Sequence, residues 1–447
     1  MKSPDTSLKY RLRLIWAYKD LLRNHFPLVT RWYVKRFRKS QMAAAQRLQG
    51  KQRIEVAFFL TIPGMWKSDY LFRAMRDNPR YHPYVVIYPY SIYKGFKRQE
   101  VEETLRRTEK FIADKGFEYH IPYDSRSGRW QDIRRTLNPD IVIFSAPYKD
   151  SLPRYFVYHF RDRLTCYVPY GFISLELSKI NYDLIFHNLV GLHFVETELH
   201  KHMAAEFGRN GGVNAVVTGY VGTEVFLRSD YQPSYEWKPQ SKPKKKVIWA
   251  PHHTIDNAIE GSTFLSMCDE MLLLAGKYRD QIQFVFKPHP LLKFKLQLLW
   301  GQEKTDAYYA KWALGENSQL EESNYVDLFL TSDAMIHDSG SFTTEYLFTQ
   351  KPVMYLTDEK VAGKRFGPFG IKSYECHYHG ASCDAVEDFL SRVVIGGDDP
   401  MKGQRQAFFD KYLRPVDGMM PSERIIYEIE RFIRSDRSLN ESVNNPK

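Results

Sequence analysis

Cysteine is scarce in this chain: Cys166, Cys268, Cys376 and Cys383 are the four in 447 residues. That is too few for a disulfide framework and fits a reducing compartment. No stretch approaches the roughly 18 to 20 uncharged apolar residues of a bilayer-spanning helix, and the start lacks a signal peptide's basic head, apolar middle and small-residue cleavage site. The expectation is a cytoplasmic chain, soluble or peripheral. A Walker phosphate loop, a nucleophile elbow and the glycine fingerprint of dinucleotide-binding folds are also missing, so the reactions they serve have no support.

Apolar residues are plentiful: 43% of the chain is hydrophobic and 15% aromatic, which excludes a disordered or fibrous protein. The length exceeds one ordinary core and points to about two domains plus extensions. The net charge of +11 is unevenly placed. Residues 9–39 hold ten Lys and Arg against Asp20, so this segment carries +9 and the remainder is nearly neutral. Leu14, Tyr18 and Leu21, then Val29, Trp32, Tyr33 and Phe37 after Pro27, recur at helical spacing and give each piece an apolar face. Two readings stand side by side: a basic amphipathic arm on an anionic leaflet, or an arm packed on the protein's own body. Nucleic acid is not an expected partner, because no reader motif accompanies the charge.

From Ile54 onward short apolar runs alternate with amphipathic stretches. Strands are expected at 54–60, 84–88, 119–122, 141–145, 166–169, 184–186, 193–196 and 215–218, with a helix at 97–115 among them. Residues 232–246 hold three prolines and five lysines and read as a linker. A second series follows: strands at 247–250, 282–287, 334–338 and 353–356, and helices at 263–278 and 341–348. A last helix, 422–433, is placed to cross back to the first domain, and the tail from Ser435 is expected to be loose. The fold class is therefore α/β, with two Rossmann-like doubly wound domains facing a cleft and a basic N-terminal helical arm. The expected divisions are an arm at 1–50, an acceptor domain at 51–231, a linker at 232–246, a nucleotide-binding domain at 247–410, and a C-terminal helix and tail at 411–447. Ligands of such sheets sit beyond the carboxyl ends of the strands.

Three strand ends in the second domain carry the candidate chemistry. After 334–337 comes the polar bend Asp338-Ser339-Gly340-Ser341 and then a helix. The first NH groups of a helix lack intrahelical acceptors and favour an anion such as a phosphate. Glu345, one turn on, falls on the side of Ser341, within reach of a ribose hydroxyl. Ordinary capping accounts for Ser and Asp there equally well, and it is the neighbouring loops that shift the reading towards a ligand. Phe286-Lys287-Pro288-His289-Pro290 offers an ammonium and an imidazole at the rim. Trp249-Ala250-Pro251-His252-His253-Thr254 adds two imidazoles, of which one is expected to reach a ligand, since adjacent side chains of extended chain face opposite ways. Cys376-His377-Tyr378-His379 and Cys383 match no zinc spacing and read as coincidence. Arg365–Gly370 reads as a cleft-lining loop or a plain turn, and Ile62–Trp66 as an acceptor-side loop or a tight turn.

The Ala-Pro loop, the Lys-x-His-Pro loop, and Asp338, Ser341 and Glu345-Tyr346 between Ser332-Asp333 and Lys351-Pro352 together resemble the CDP-glycerol glycerophosphotransferase family of teichoic-acid-type polymerases and primases. The good match spans roughly residues 245–357. The resemblance implies the two-domain GT-B fold, a cytidine nucleotide in the C-terminal domain, and transfer of a phosphopolyol to a membrane-associated glycan or lipid-linked acceptor at the inner face of the membrane. Carried over, Asp338, Ser339, Gly340, Ser341 and Glu345 hold the nucleotide with Lys287, and His289, assisted by His252 or His253, carries charge as the bond breaks. The resemblance implies no obligatory metal and no cofactor; the donor is a CDP-linked polyol. Two family residues are replaced. Tyr170, in Val168-Pro169-Tyr170-Gly171-Phe172, stands where the family's Trp-His-Gly-Thr motif has its His, and Thr254 stands where it has an Arg. Tyr, with an unperturbed pKa near 10, is a poor base at neutral pH, so it positions the acceptor or another group takes the proton. The alternatives are a sugar-nucleotide glycosyltransferase of the same fold serving capsule or lipopolysaccharide, and a nucleotide-binding protein without turnover.

Overall fold

A computed structural model describes residues 27–89, 98–124, 129–149, 151–256, 262–322, 325–357 and 365–435. Residues 1–26 of the expected arm and the tail beyond Ser435 lie outside the described residues. The chain divides into two compact units, the first comprising residues 1–171, 178–222 and 416–447 and the second residues 172–177 and 223–415.

The first unit opens with α1 (Pro27–Gln46). Its apolar side is buried on the unit's own body through Phe37, Ala44 and Ala45, while Lys35, Arg36 and Lys39 face solvent. The buried Gln41 fixes it in place: its Oε1 accepts from the N–H and hydroxyl of Thr165, both at 2.8 Å, and its amide donates to the Arg161 carbonyl. For these residues the own-body packing is the arrangement observed.

The sheet of this unit has seven parallel strands: β1 (Ile54–Leu60), β2 (Tyr81–Ile87), β3 (Tyr119–His120), β4 (Ile141–Phe144), β5 (Leu164–Tyr167), β6 (Leu192–Val195) and β7 (Ala215–Val217), in the order β3-β2-β1-β4-β5-β6-β7. Helices cover both faces, which is why β4 is a continuous apolar run and β1 and β5 are interrupted only by Glu55 and Thr165. The expected strand at 184–186 is instead the start of a short helix, Ile185–Leu189, buried at every position. A three-residue apolar run cannot tell the two apart, and β5 already pairs directly with β6. The helix expected at 97–115 is α2 (Arg98–Ala113).

The second unit holds a six-stranded parallel sheet: β8 (Lys245–Ala250), β9 (Ile282–Phe286), β10 (Ser318–Leu320), β11 (Ala334–His337), β12 (Val353–Leu356) and β13 (Tyr378–Gly380), ordered β10-β9-β8-β11-β12-β13. Two of its helices, α3 (Phe264–Lys277) and α4 (Phe342–Glu345), follow β8 and β11. Its core centres on Trp249, stacked on Phe264 at 5.7 Å and close to Trp312. Residues 232–246 are not a free linker. Tyr231 donates to Asp327, the Trp237 indole to Thr331 and the Lys238 N–H to Gln319, so polar and aromatic side chains fasten this Pro-Lys stretch to the sheet before it becomes β8. Helix α5 (Pro421–Arg434) returns to the first unit and buries Ile425, Ile429 and Ile433, four residues apart, in its core.

Candidate functional site

Strand register explains why three loops of the second unit meet. Ala250 pairs with His337 across β8 and β11, and Trp249 pairs with Phe286 across β8 and β9. The chain therefore leaves all three strands at nearly one level, where sheets of this kind place their ligands. The His289 N–H then donates to the Pro251 carbonyl at 3.0 Å, and the His252 N–H donates to Asp338 Oδ1 at 2.5 Å.

His252, His253 and His289 form one cluster, with ring centroids 4.3 Å (252 to 253), 4.9 Å (252 to 289) and 4.2 Å (253 to 289) apart. Both adjacent histidines join it because extended backbone stops at Ala250, which removes the alternation expected of them. Burial, then the neighbouring imidazoles, push His252 down to about 2; burial, then His253, Lys287 and Lys295, push His289 down to about 4. Both rings are neutral at pH 7. Their ring nitrogens lie within 4.8 Å of one another, a spacing that a metal ion also accepts. The tautomer argues for an anion: the Leu291 N–H donates to His289 Nδ1 at 3.1 Å, which leaves the proton of the neutral ring on Nε2 as a donor. The ammonium of Lys287, buried beside this rim, has no hydrogen-bond partner among the described residues, and burial lowers its pKa despite the field of Glu321 and Glu322. An oxyanion would satisfy both groups.

The bend after β11 is built differently from the expectation. Asp338 is 1% exposed and turned inward. Its Oδ1 accepts the His252 N–H, and its Oδ2 accepts the Thr263 N–H at 2.7 Å, Ser262 Oγ at 2.8 Å and Thr263 Oγ1 at 3.0 Å. It ties the β8 loop to the start of α3 and is not open to a nucleotide. Ser339 and Gly340 are also buried, and Leu175 lies over Gly340, 2.9 Å from where a Cβ would sit. Ser341 is exposed, its hydroxyl 3.3 Å from that of Ser339, so the open part of the bend is its last residue and the NH groups entering α4. Glu345 is 5% exposed and is hydrogen-bonded to the half-buried Tyr325.

Two arrangements were not legible in the sequence. Arg365 is buried and donates from Nη1 to the Asp338 carbonyl at 3.0 Å, as does the Tyr355 hydroxyl. Residues 172–177 strap this unit: Ser174 Oγ meets Thr344 Oγ1, the Gly367 N–H donates to the Ser174 carbonyl, the Glu176 N–H donates to the Arg365 carbonyl, and Phe172 stacks on Phe369. Nothing in a run of Phe, Ile, Ser and Leu announces membership of a different unit from the strand before it. Tyr170, just ahead of the strap, belongs to the first unit and packs half-buried against its core. Among the remaining candidates, His377 donates to or accepts from backbone inside the fold, His379 stacks on Tyr374 at 3.8 Å, and Met65 and Trp66 of the Ile62–Trp66 loop are core residues. Thr254 is buried beside His252 Nδ1 at 3.0 Å.

Two parallel sheets of this order, with donors gathered at the strand ends of the second, are those of the GT-B fold. Residues 214–431, just under half of the chain, match the family of CDP-Glycerol:Poly(glycerophosphate) glycerophosphotransferases, and the chain is a transferase similar to them. No curated protein matches the chain. Among solved structures, it is similar to a Listeria monocytogenes protein described as a UDP-N-acetylglucosamine 2-epimerase, at 16% identity and TM-score 0.54, covering 86% of this chain and 98% of that one. It is also similar to S. aureus MnaA with UDP, at 15% identity and TM-score 0.52, covering 89% and 99%. A variant of the wall teichoic acid polymerase TagF gives 13% identity and TM-score 0.50, covering 96% and 99%. At these identities the structural likeness shows the fold.

Proposed function

We propose that the chain moves a phosphopolyol, glycerol phosphate or a close analogue, from a CDP-activated donor to a glycan or lipid-linked acceptor at a membrane surface. The observation that carries this is the convergence of His252, His253, His289 and Lys287 with the NH groups entering α4, three kinds of donor, around the ends of β8, β9 and β11. In phosphoryl transfer the acceptor oxygen bonds to the donor's outer phosphorus as the bond to the departing nucleoside monophosphate breaks. The work of the protein is positioning and charge stabilisation, which fixed neutral donors and a buried ammonium supply. His289 Nε2 is assigned to the bridging region of the diphosphate, Lys287 to the charge on the leaving phosphate, and Ser341 with the α4 NH groups to the remaining oxygens. Tyr170 is assigned to the acceptor hydroxyl.

Attachment to an anionic surface is assigned to α1, whose outward side carries Lys35, Arg36, Lys39 and the 59% exposed Trp32, with Arg36 over its ring at 5.3 Å. Among the described residues no helix is long and apolar enough to cross a membrane. The test of the reaction is isotopic. Phosphorus label placed in the outer phosphate of a CDP-polyol should appear in the acceptor; label that stays with the nucleotide while the polyol or a sugar is transferred would reject phosphopolyol transfer.

A further inference from the structure

The first unit contains a cavity of about 360 Å³ that the transfer reaction does not use. It lies at the amino ends of β5, β6 and β7, the opposite edge of the sheet from Tyr170, between α1, the loops entering β6 and β7, and the end of α5. Its volume falls within the range of small-molecule sites, roughly 300 to 1,000 Å³. Most of the wall is apolar, with Val34, Val190, Leu192, Val216 and Phe432 among its side chains.

The polar groups of the wall are nearly all satisfied from within. The Asn214 amide donates to the carbonyls of His187 and Val190, the Asn210 amide donates to Asn214 Oδ1, and Gln41 is held by Thr165 and Arg161. Glu428, 2% exposed, is neutralised by Arg424 at 2.9 Å and Arg431 at 2.8 Å. Arg38 is different. It lines the cavity half-buried, with no hydrogen-bond or ion-pair partner among the described residues, and burial lowers its pKa. A guanidinium taken partly out of water without a counter-charge is a cost that an anion would offset.

We infer that this cavity binds a single-chain anionic amphiphile, its head on the Arg38 guanidinium and its apolar body along the Val34, Val190 and Phe432 wall. An alkyl phosphate, whether free or as the end of a lipid, has this chemistry, and the site acts as a second, non-catalytic point of engagement on the acceptor-side unit.

The test is calorimetric titration of the full chain with dodecyl phosphate below its micelle concentration, and separately with dodecanol and inorganic phosphate. The expectation is saturable one-to-one binding of dodecyl phosphate, weaker by at least tenfold in Arg38→Gln. Val213→Trp, at a 53% exposed position on the cavity mouth, should also weaken it while leaving the unfolding temperature unchanged. Dodecanol should bind Arg38→Gln and the parent alike, and inorganic phosphate should not compete at millimolar concentration. Equal affinity of Arg38→Gln for dodecyl phosphate, full competition by inorganic phosphate, or no binding of dodecyl phosphate to the parent would each overturn the assignment. Transfer activity does not enter the readout, so the result stands apart from the proposed reaction.

Discussion

Asp338→Asn separates two roles that this carboxylate could have. In the structure Asp338 holds four donors, two of them backbone N–H groups, from residues His252 and Thr263. Asparagine keeps one acceptor oxygen. If it faces His252, the new NH2 points at the Thr263 N–H; if flipped, it points at the His252 N–H. Ser262 and Thr263 hydroxyls can rotate to accept from the amide, but one buried backbone donor is left unsatisfied in either orientation. That costs about 1–3 kcal/mol, and loss of charge assistance in the surviving bonds adds a similar amount, for a total of about 3 kcal/mol or more. For a unit of this size such a change lowers the unfolding midpoint by roughly 6 to 12 °C. Equilibrium unfolding in urea followed by tryptophan fluorescence reads it, since Trp249 and Trp312 are both buried in the core of the affected unit. Nucleotide affinity should fall in step, because the His252 loop and the start of α3 lose their common anchor. A variant as stable as the parent, within about 1 kcal/mol, that nonetheless binds nucleotide tenfold more weakly would refute this reasoning and make Asp338 a direct ligand.

Other perturbations test the remaining parts. His289→Ala removes a donor aimed at developing charge and should lower kcat by about 10² to 10³ with a smaller change in KM, whereas His289→Gln, whose amide still donates, should recover part of the rate in a steady-state assay. Gly370→Ala places a Cβ 2.0 Å from the Ser174 carbonyl, so the strap must move; destabilisation of about 1–3 kcal/mol and faster limited proteolysis between 172 and 177 are expected. The imidazole cluster sets a pH dependence. His252 and His289 are held below the ordinary histidine value, so the unfolded chain binds more protons between about 6.5 and 4; their contribution to stability is complete above pH 6.5 and is lost as pH falls through that window. Unfolding temperature measured from pH 8 to 4 should decline over it, and less steeply in a His252→Gln, His289→Gln double variant. A bound diphosphate raises the same pKa values, so nucleotide affinity should increase as pH falls from 6 to 4 when followed by calorimetry.

The fold was legible because parallel strands buried on both faces advertise themselves as short apolar runs between helices, as in Ile141–Phe144 and Ala334–His337. The edge strands Ser318–Leu320 and Tyr378–Gly380 were not legible: three residues long and partly exposed, they carry polar side chains and no run. The same physics limits the site. Loop composition located the imidazoles, Lys287 and the bend, but not their direction. An Asp-Ser-Gly-Ser turn that binds phosphate and one that braces its neighbours use the same residues, and here the bend divides the work: Asp338 braces while Ser341 stays open. Whether a carboxylate turns inward depends on donors it meets from other loops, Ser262 and Thr263 in this case, which are 75 residues or more away in sequence.

That division bears on how the site can work without the family's N-terminal histidine and its loop arginine. A phosphoryl group in flight needs positive field more than a strong base. Here the field comes from groups whose orientation is fixed before the substrate arrives: His289 by the Leu291 N–H, His252 by Asp338, and the bend by Arg365 and Tyr355 on the Asp338 carbonyl. Arg365 cannot swing out to take the missing arginine's place without releasing that carbonyl, so its charge acts at a distance through a fixed position. Arg365→Lys keeps the charge but not the planar reach of the guanidinium. It should therefore lower stability and nucleotide affinity together, as an anchor does, whereas a direct phosphate contact would lower affinity alone.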